Sequence, residues 1–304
     1  MEKVYLNWTF FGTDEFSVKI LETLIGKGLL PSLIITTPDK PKGRKMILTP
    51  PPVKVWAQEN DISFLQPSSL KDPDFTRKLK AVSCKLFLVA SYGKIIPNEI
   101  LDLPEYNTLN IHPSLLPKYR GPSPLATAIL NGDLETGVTI IKLDEEMDHG
   151  PILAQKCFQH SNQGIPLLNF EQLRDKTAEL GAEMFAEILP EYFAGKIISQ
   201  EQNHAEATYT KKLAKQDGEL NLSEPAIVNY RKILALNPWP GAYFFHEHHG
   251  KKIRVNVKTA RFEGGNLIFE KVIPASGREM NWQAFLNGIK LGKNIQDRFP
   301  PSRE

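Results

Sequence analysis

At 304 residues the chain exceeds a usual single domain, so two are expected; its net charge of +2 hides 16 Lys+Arg against 10 Asp+Glu in residues 205–304 and 21 against 25 before them. Two cysteines, Cys84 and Cys157, far apart in apolar contexts, exclude a disulfide framework or a cysteine-based zinc site and fit a reducing cytoplasm. No apolar run reaches the roughly 18 residues of a membrane span, and Met1-Glu2-Lys3 opens into a strand pattern rather than a signal peptide, so a cytoplasmic protein is expected.

Residues 4–11 form an apolar run that ends at Gly12-Thr13, and Phe16, Ile20, Leu24 and Ile25 then fall on one helical face. With a second strand at residues 33–36, the opening is a βαβ unit, which predicts an open, mostly parallel Rossmann-like sheet. The turn Gly12-Thr13-Asp14 lacks the further glycines of a dinucleotide fingerprint and the lysine of a P-loop, so neither NAD nor ATP is expected. Residues 37–53 hold five prolines with Lys40, Lys42, Arg44 and Lys45, far more chain than a βα connection needs. That stretch reads as a functional loop able to grip phosphates, against the plain alternative of solvated surface.

Further on, helices are expected from residues 53 and 74, a short strand at 62–65, and a central apolar strand at Leu86–Ala90 that delivers Ser91-Tyr92-Gly93 to the sheet edge. A short helix or turn follows at 95–103, and Pro124–Asn131 is a helix. Strands are expected at residues 137–143 and Ile152–Gln159, and a long helix at 171–194 ends at Gly195. The domain boundaries expected are 1–195, a polar linker at 196–207, and 208–304. The last part reads as a helix at 224–236, then Asn237-Pro238-Trp239-Pro240 and alternating strands at 242–246, 253–257 and 267–272. These suggest a small antiparallel barrel whose core and rim hold Trp239, Tyr243, Phe244 and Trp282. Only about ten residues separate the second and third of these strands.

The segment Asn110-Ile111-His112-Pro113-Ser114-Leu115-Leu116-Pro117-Lys118-Tyr119-Arg120-Gly121-Pro122 is the candidate active site. Asn110 and His112, two apart on an extended strand, share a face. Pro113 and Pro117 then force a stiff loop at the strand end. A carboxamide donor beside an imidazole suits acyl transfer to an amine, and Asp148 is the candidate to orient the imidazole.

These residues resemble the methionyl-tRNA formyltransferase family of 10-formyltetrahydrofolate-dependent enzymes, over nearly the whole chain. The likeness runs through Phe10-Phe11-Gly12-Thr13-Asp14-Glu15-Phe16, the basic proline-rich loop, Ala90-Ser91-Tyr92-Gly93, Leu109-Asn110-Ile111-His112-Pro113-Ser114-Leu115-Leu116-Pro117, Gly137-Val138-Thr139-Ile140, Asp148-His149-Gly150-Pro151 and Asn237-Pro238-Trp239-Pro240. Asp14 stands where that family often has proline, and Tyr119 where tryptophan is frequent. The resemblance implies a formyltransferase fold followed by a small OB-like barrel, shortened here by the close spacing of its second and third strands. It implies Asn110, His112 and Asp148 as catalytic, and Ser114, Leu115, Leu116 and Pro117 against the folate, near the Tyr92-Gly93 backbone. It also implies Lys40, Lys42, Arg44 and Lys45 on the tRNA. The donor implied is 10-formyltetrahydrofolate, with no metal, and the acceptor is initiator Met-tRNA met by a monomer. Rival readings are a sugar-nucleotide or glycinamide-ribonucleotide formyltransferase, and a non-catalytic RNA-binding relic.

Overall fold

The computed structural model describes residues 7–43, 45–248, 251–275 and 277–288. Residues 4–6 of the expected opening strand and Arg44 of the basic stretch lie outside the described residues. The chain opens with β1 (Trp8–Gly12), fully buried, and α1 (Glu15–Gly26). The Asp14 side chain caps α1 by accepting the Ser17 backbone hydrogen. At Gly12 a Cβ would meet the Phe10 ring and Ser17, so only glycine lets the strand turn directly into the helix.

β2 (Leu33–Ile35) follows, then a hairpin of β3 (Lys40–Lys42) and β4 (Ile47–Thr49), and α2 (Pro52–Glu59). The hairpin occupies a stretch read from sequence as loop alone. β5 (Phe64–Leu65), α3 (Pro73–Val82), β6 (Leu86–Ala90), α4 (Asn98–Leu101) and β7 (Thr108–His112) lead to α5 (Pro124–Asn131). After β8 (Glu135–Lys142) and β9 (Ile152–Gln159) come the small hairpin β10 (Ser161–Asn162) and β11 (Ile165–Pro166), and α6 (Phe170–Phe193).

The main sheet has the order β5-β2-β1-β6-β7-β8-β9, parallel from β5 to β7, with β8 antiparallel to β7. Because β1 is flanked by β2 and β6, the chain order reverses beside it, and the carboxyl ends of β1 and β6 form the switch point where such sheets bind ligands. Alternation along the strands sorts the core. Trp8 and Phe10 of β1, Leu86 and Leu88 of β6, and Leu109 and Ile111 of β7 pack with α1, α2 and α6, whereas Phe11, Phe87 and Val89 pack with α3 and α4. The fully buried Phe185 of α6 lies in the first cluster, and replacing it by alanine would cost about 3–5 kcal/mol. Among the described residues no helix is long and apolar enough to cross a membrane.

The chain divides into two compact units. The first takes the described residues up to Pro122, Gly137–Cys157 and Arg174–Tyr209; the second takes Ser123–Thr136, Phe158–Leu173 and the described residues from Thr210 on. The expected linker at 196–207 falls inside the first unit, where Gln200 bridges to Ile152 and Gln202 is buried. In the second unit α7 (Ala226–Leu236) precedes an antiparallel sheet of β12 (Ala242–His248), β13 (Lys251–Glu263), β14 (Asn266–Pro274) and β15 (Met280–Asn281), followed by α8 (Trp282–Gly288). Leu220, Ile233, Phe244, Val255, Val257, Phe269 and Phe285 make its core. Phe244 and Tyr243 are buried, whereas Trp239 is 54% exposed. The strand expected to end at Val257 runs on to Glu263, with an irregular register around Thr259 that breaks its alternation.

Candidate active site

On β7 the odd positions face the core, so Thr108, Asn110 and His112 share the opposite face, and the Thr108 hydroxyl donates to Leu101 O. Asn110 and His112 are 8% and 4% exposed. Asp148 reaches them from the loop after β8. Its Oδ1 lies 3.4 Å from Asn110 Nδ2, which donates to it, and 3.5 Å from His112 Nδ1. Its Oδ2 accepts the Gly121 backbone hydrogen at 2.7 Å.

His112 Nε2 is 3.0 Å from Tyr119 O. A carbonyl can only accept, so Nε2 carries a hydrogen and Nδ1 is the nitrogen presented to Asp148. Asp148 stands at φ +52, a left-handed conformation that aspartate adopts more readily than most residues, and this turns its carboxylate back onto β7. Gly150, two residues on, approaches Lys142 O so closely that any Cβ would collide with it, which keeps the loop tight against the end of β8.

The stiff loop after β7 is tied down from β8 and β9. Thr139, opposite His112, donates to Ser114 O at 2.6 Å and accepts from Leu116 N at 3.1 Å, while Gln155 Nε2 donates to Leu116 O and Thr139 Oγ1. The Ser114 hydroxyl is spent on Lys118 O at 2.6 Å, and Ser114 and Leu116 are buried; Leu115 and Pro117 are the half-buried members. Across the edge, the Tyr92 ring is buried against Phe11 and Tyr92 O accepts from Thr13 Oγ1. Gly93 is exposed, at φ +77, with no atom within 4 Å of where a Cβ would stand. Burial pushes the Asp14 carboxyl at this switch point up from its usual value, opposed by the 2.5 Å bond donated by Ser91.

Residues 8–189 match the family model described as Formyl transferase, and residues 212–263 match that of Formyl transferase, C-terminal domain. The chain belongs to the formyl transferase family. It is 40% identical over 303 residues to the methionyl-tRNA formyltransferase of Chloroflexus aurantiacus, and 43% identical over 303 residues to that of Chloroflexus aggregans. Each comparison covers 92% of this chain and 96% of the relative. Among solved structures, methionyl-tRNA formyltransferase from Clostridium thermocellum aligns with TM-score 0.57 at 17% identity, over 91% of this chain and 99% of that one. HypX from Aquifex aeolicus, in complex with tetrahydrofolic acid, aligns with TM-score 0.65 at 17% identity, over 95% of this chain and 48% of its own.

In this formyl transferase the basic residues lie on the hairpin between β2 and α2. Lys40 and Lys42 lie on β3 and Lys45 in the turn, all exposed, with Met46, Ile47 and Leu48 between 61% and 67% exposed beside them. The base of the hairpin is held by Asp39, which accepts from Lys54 at 2.9 and 2.8 Å and from Gln66 at 2.8 Å. Sequence reading missed several groups that meet or support the site: Tyr119 O, the Gly121 hydrogen, Thr139, Gln155 and Gln202. A polar residue alternating into a buried strand was a signal for Thr139; the backbone groups leave none.

Proposed function

We propose that the chain transfers the formyl group of 10-formyltetrahydrofolate to the α-amino group of methionyl initiator tRNA, giving N-formylmethionyl-tRNA for translation initiation. The observation that carries this reading is the convergence of Asn110, His112 and Asp148 on one face at the carboxyl edge of the sheet. Relatives of nearly the same length, 40% and 43% identical, bear the name methionyl-tRNA formyltransferase, which supports tRNA as acceptor over a sugar nucleotide.

The edge fits a flat folate. Half-buried Leu115 and Pro117 offer apolar surface, and the open space at Gly93 admits a ring against the backbone. The folate supplies an activated formyl carbon. Asn110 Nδ2, held among the described residues by a long 3.4 Å bond, is available to donate to the formyl oxygen as it gains negative charge. His112, with Nε2 committed to Tyr119 O, adds a second donor from Nδ1 when that nitrogen is protonated, shared with Asp148 across a loose 3.5 Å separation. Asp148, with one oxygen fixed by Gly121, presents the other to this pair, where it orients the imidazole and can take the proton shed by the attacking amine as the new C–N bond forms. It can return that proton to N10 as the formyl C–N10 bond breaks and tetrahydrofolate leaves. The basic hairpin and the basic C-terminal part supply phosphate contacts, Arg44 included, and the protein works as a cytoplasmic monomer without a metal.

The test is incubation with 10-formyltetrahydrofolate and, in turn, charged initiator tRNA, glycinamide ribonucleotide and an aminosugar nucleotide. Formylation of the tRNA alone is expected. Transfer only to a small amine would overturn the acceptor, and transfer to none would leave the reading without support.

A further inference from the structure

The peptide groups on either side of Arg120 both touch the proposed site. Tyr119 O accepts from His112 Nε2 at 3.0 Å, and Gly121 N donates to Asp148 Oδ2 at 2.7 Å. The placing of residue 120 therefore places partners of both members of the His–Asp pair. Arg120 itself points away from solvent, at 2% exposure. Its guanidinium donates to Gln202 Oε1 from Nε at 3.2 Å and from Nη2 at 2.7 Å. It also donates to His204 Nδ1 at 2.8 Å and to the Tyr209 hydroxyl at 3.3 Å.

Gln202 passes this hold on to the loop that carries Asp148. Its amide nitrogen donates to Asp148 O at 2.9 Å and to Gly150 O at 2.8 Å, while its oxygen takes the two Arg120 donors. A primary amide is suited to this place because it accepts from a cation with one end and gives two hydrogens to carbonyls with the other. A carboxylate could meet Arg120 but could not donate to either carbonyl. The bridge ends on the backbone of Asp148, the residue held at φ +52, rather than on remote scaffold. A buried arginine that needed only satisfaction would not require that destination.

We infer that Gln202 and Arg120 are positioning residues that hold the Asp148 carboxylate against Asn110 and His112, by gripping the Asp148 loop through one side chain and the 119–121 peptides through the other. The inference rests on the formyl-transfer reading for its kinetic consequence, but its structural consequence can be read without turnover.

The experiment compares the full-length chain with Gln202→Leu and Gln202→Glu. Each is assayed for turnover with 10-formyltetrahydrofolate and charged initiator tRNA, for folate-binding sites by titration, for melting, and for the side-chain ¹H–¹⁵N resonances of its histidines. Both variants are expected to lose about 10²-fold in kcat per folate-binding site with both KM values within about threefold, the scale of a misplaced catalytic group. The His112 resonances should move in both. Gln202→Glu retains an acceptor for Arg120, so it decides the matter should Gln202→Leu fail to fold. Wild-type kcat per site together with unmoved His112 resonances would overturn the inference, as would a loss confined to melting. If the wild type formylates no charged tRNA, the proposed function fails separately, and unmoved or moved His112 resonances still decide the clamp.

Discussion

Two segments leave the same carboxyl edge of the main sheet and are built in opposite ways. The segment 113–121 after β7 buries Ser114, Leu116 and Arg120 and is bonded to Thr139, Gln155, Asp148 and Thr208. The hairpin of β3 and β4 exposes Lys40, Pro41 and Lys42 along with Met46, Ile47 and Leu48, and is tied to the rest at its base through Asp39. The first has the over-determined geometry that chemistry at a reacting carbon requires, where small displacements are costly. The second has what a long-range charged grip requires: cations in water with a fixed root and no partner demanding ångström precision. Substitutions in the two should therefore fail differently, the first in turnover and the second in acceptor affinity.

The largest effect expected is at β7. His112→Ala should lower kcat by roughly 10²–10⁴-fold, the range for loss of an oxyanion donor or acid–base group, with the melting temperature little changed. Single-turnover rates at saturating substrates check this, and near-normal turnover would remove His112 from the chemistry. Next comes Thr139→Val, which keeps the shape of the side chain but takes away the donor to Ser114 O and the acceptor for Leu116 N. It should destabilise by about 1–3 kcal/mol in urea unfolding and raise KM for the formyl donor, since buried groups are left unpaired beside the folate edge. If stability falls and that KM stays fixed, the loop has no part in folate binding.

A smaller and different loss is expected from the hairpin. Lys42→Ala should raise KM for charged tRNA a few-fold, leave KM for the folate unchanged, and reduce the salt slope of tRNA binding by about one phosphate. Titrations at two salt concentrations separate this from an effect on chemistry. An unchanged slope would return the hairpin to plain solvated surface.

Much of this contrast was open to inspection in the sequence, and the part that was not has physical causes. Leu86–Ala90 and Thr108–His112 are apolar or alternating runs bounded by turns, and they form β6 and β7 with those bounds. Asn110 and His112 could be assigned to one face because strand periodicity is fixed at two. The hairpin of β3 and β4 escaped because three-residue strands are too short to show a period, and Pro41 sits inside one of them. Gln202 escaped for another reason. It lies in a polar stretch with no periodic pattern, and its partners Arg120 and Asp148 are 82 and 54 residues away, so only the folded chain brings the three together. Tyr119 O and Gly121 N are backbone atoms, which any residue supplies.

The finest test of the comparison is at the hairpin's root. The Lys54 ammonium, and after it Gln66, holds the Asp39 carboxyl below the usual carboxylate range. A carboxylate whose folded pKa is depressed contributes stability that is fully present above its unfolded pKa and is lost as pH falls through the folded one. The tie is thus complete near neutral pH and should loosen only below about pH 4. Asp39→Asn, which removes the charge and keeps the shape, should melt slightly below wild type at pH 7, and the gap should close as pH is lowered toward 3. The effect is small because Asp39 and Lys54 remain in reach of solvent, with side chains 24% and 19% exposed, and water screens such pairs. The more informative reading is KM for charged tRNA at neutral pH: if the root sets where Lys40 and Lys42 stand, Asp39→Asn should raise it in the same direction as Lys42→Ala while kcat at saturating tRNA holds. A melting gap that persists unchanged to pH 3, with KM equal to wild type, would mean that the hairpin's position owes nothing to this ion pair.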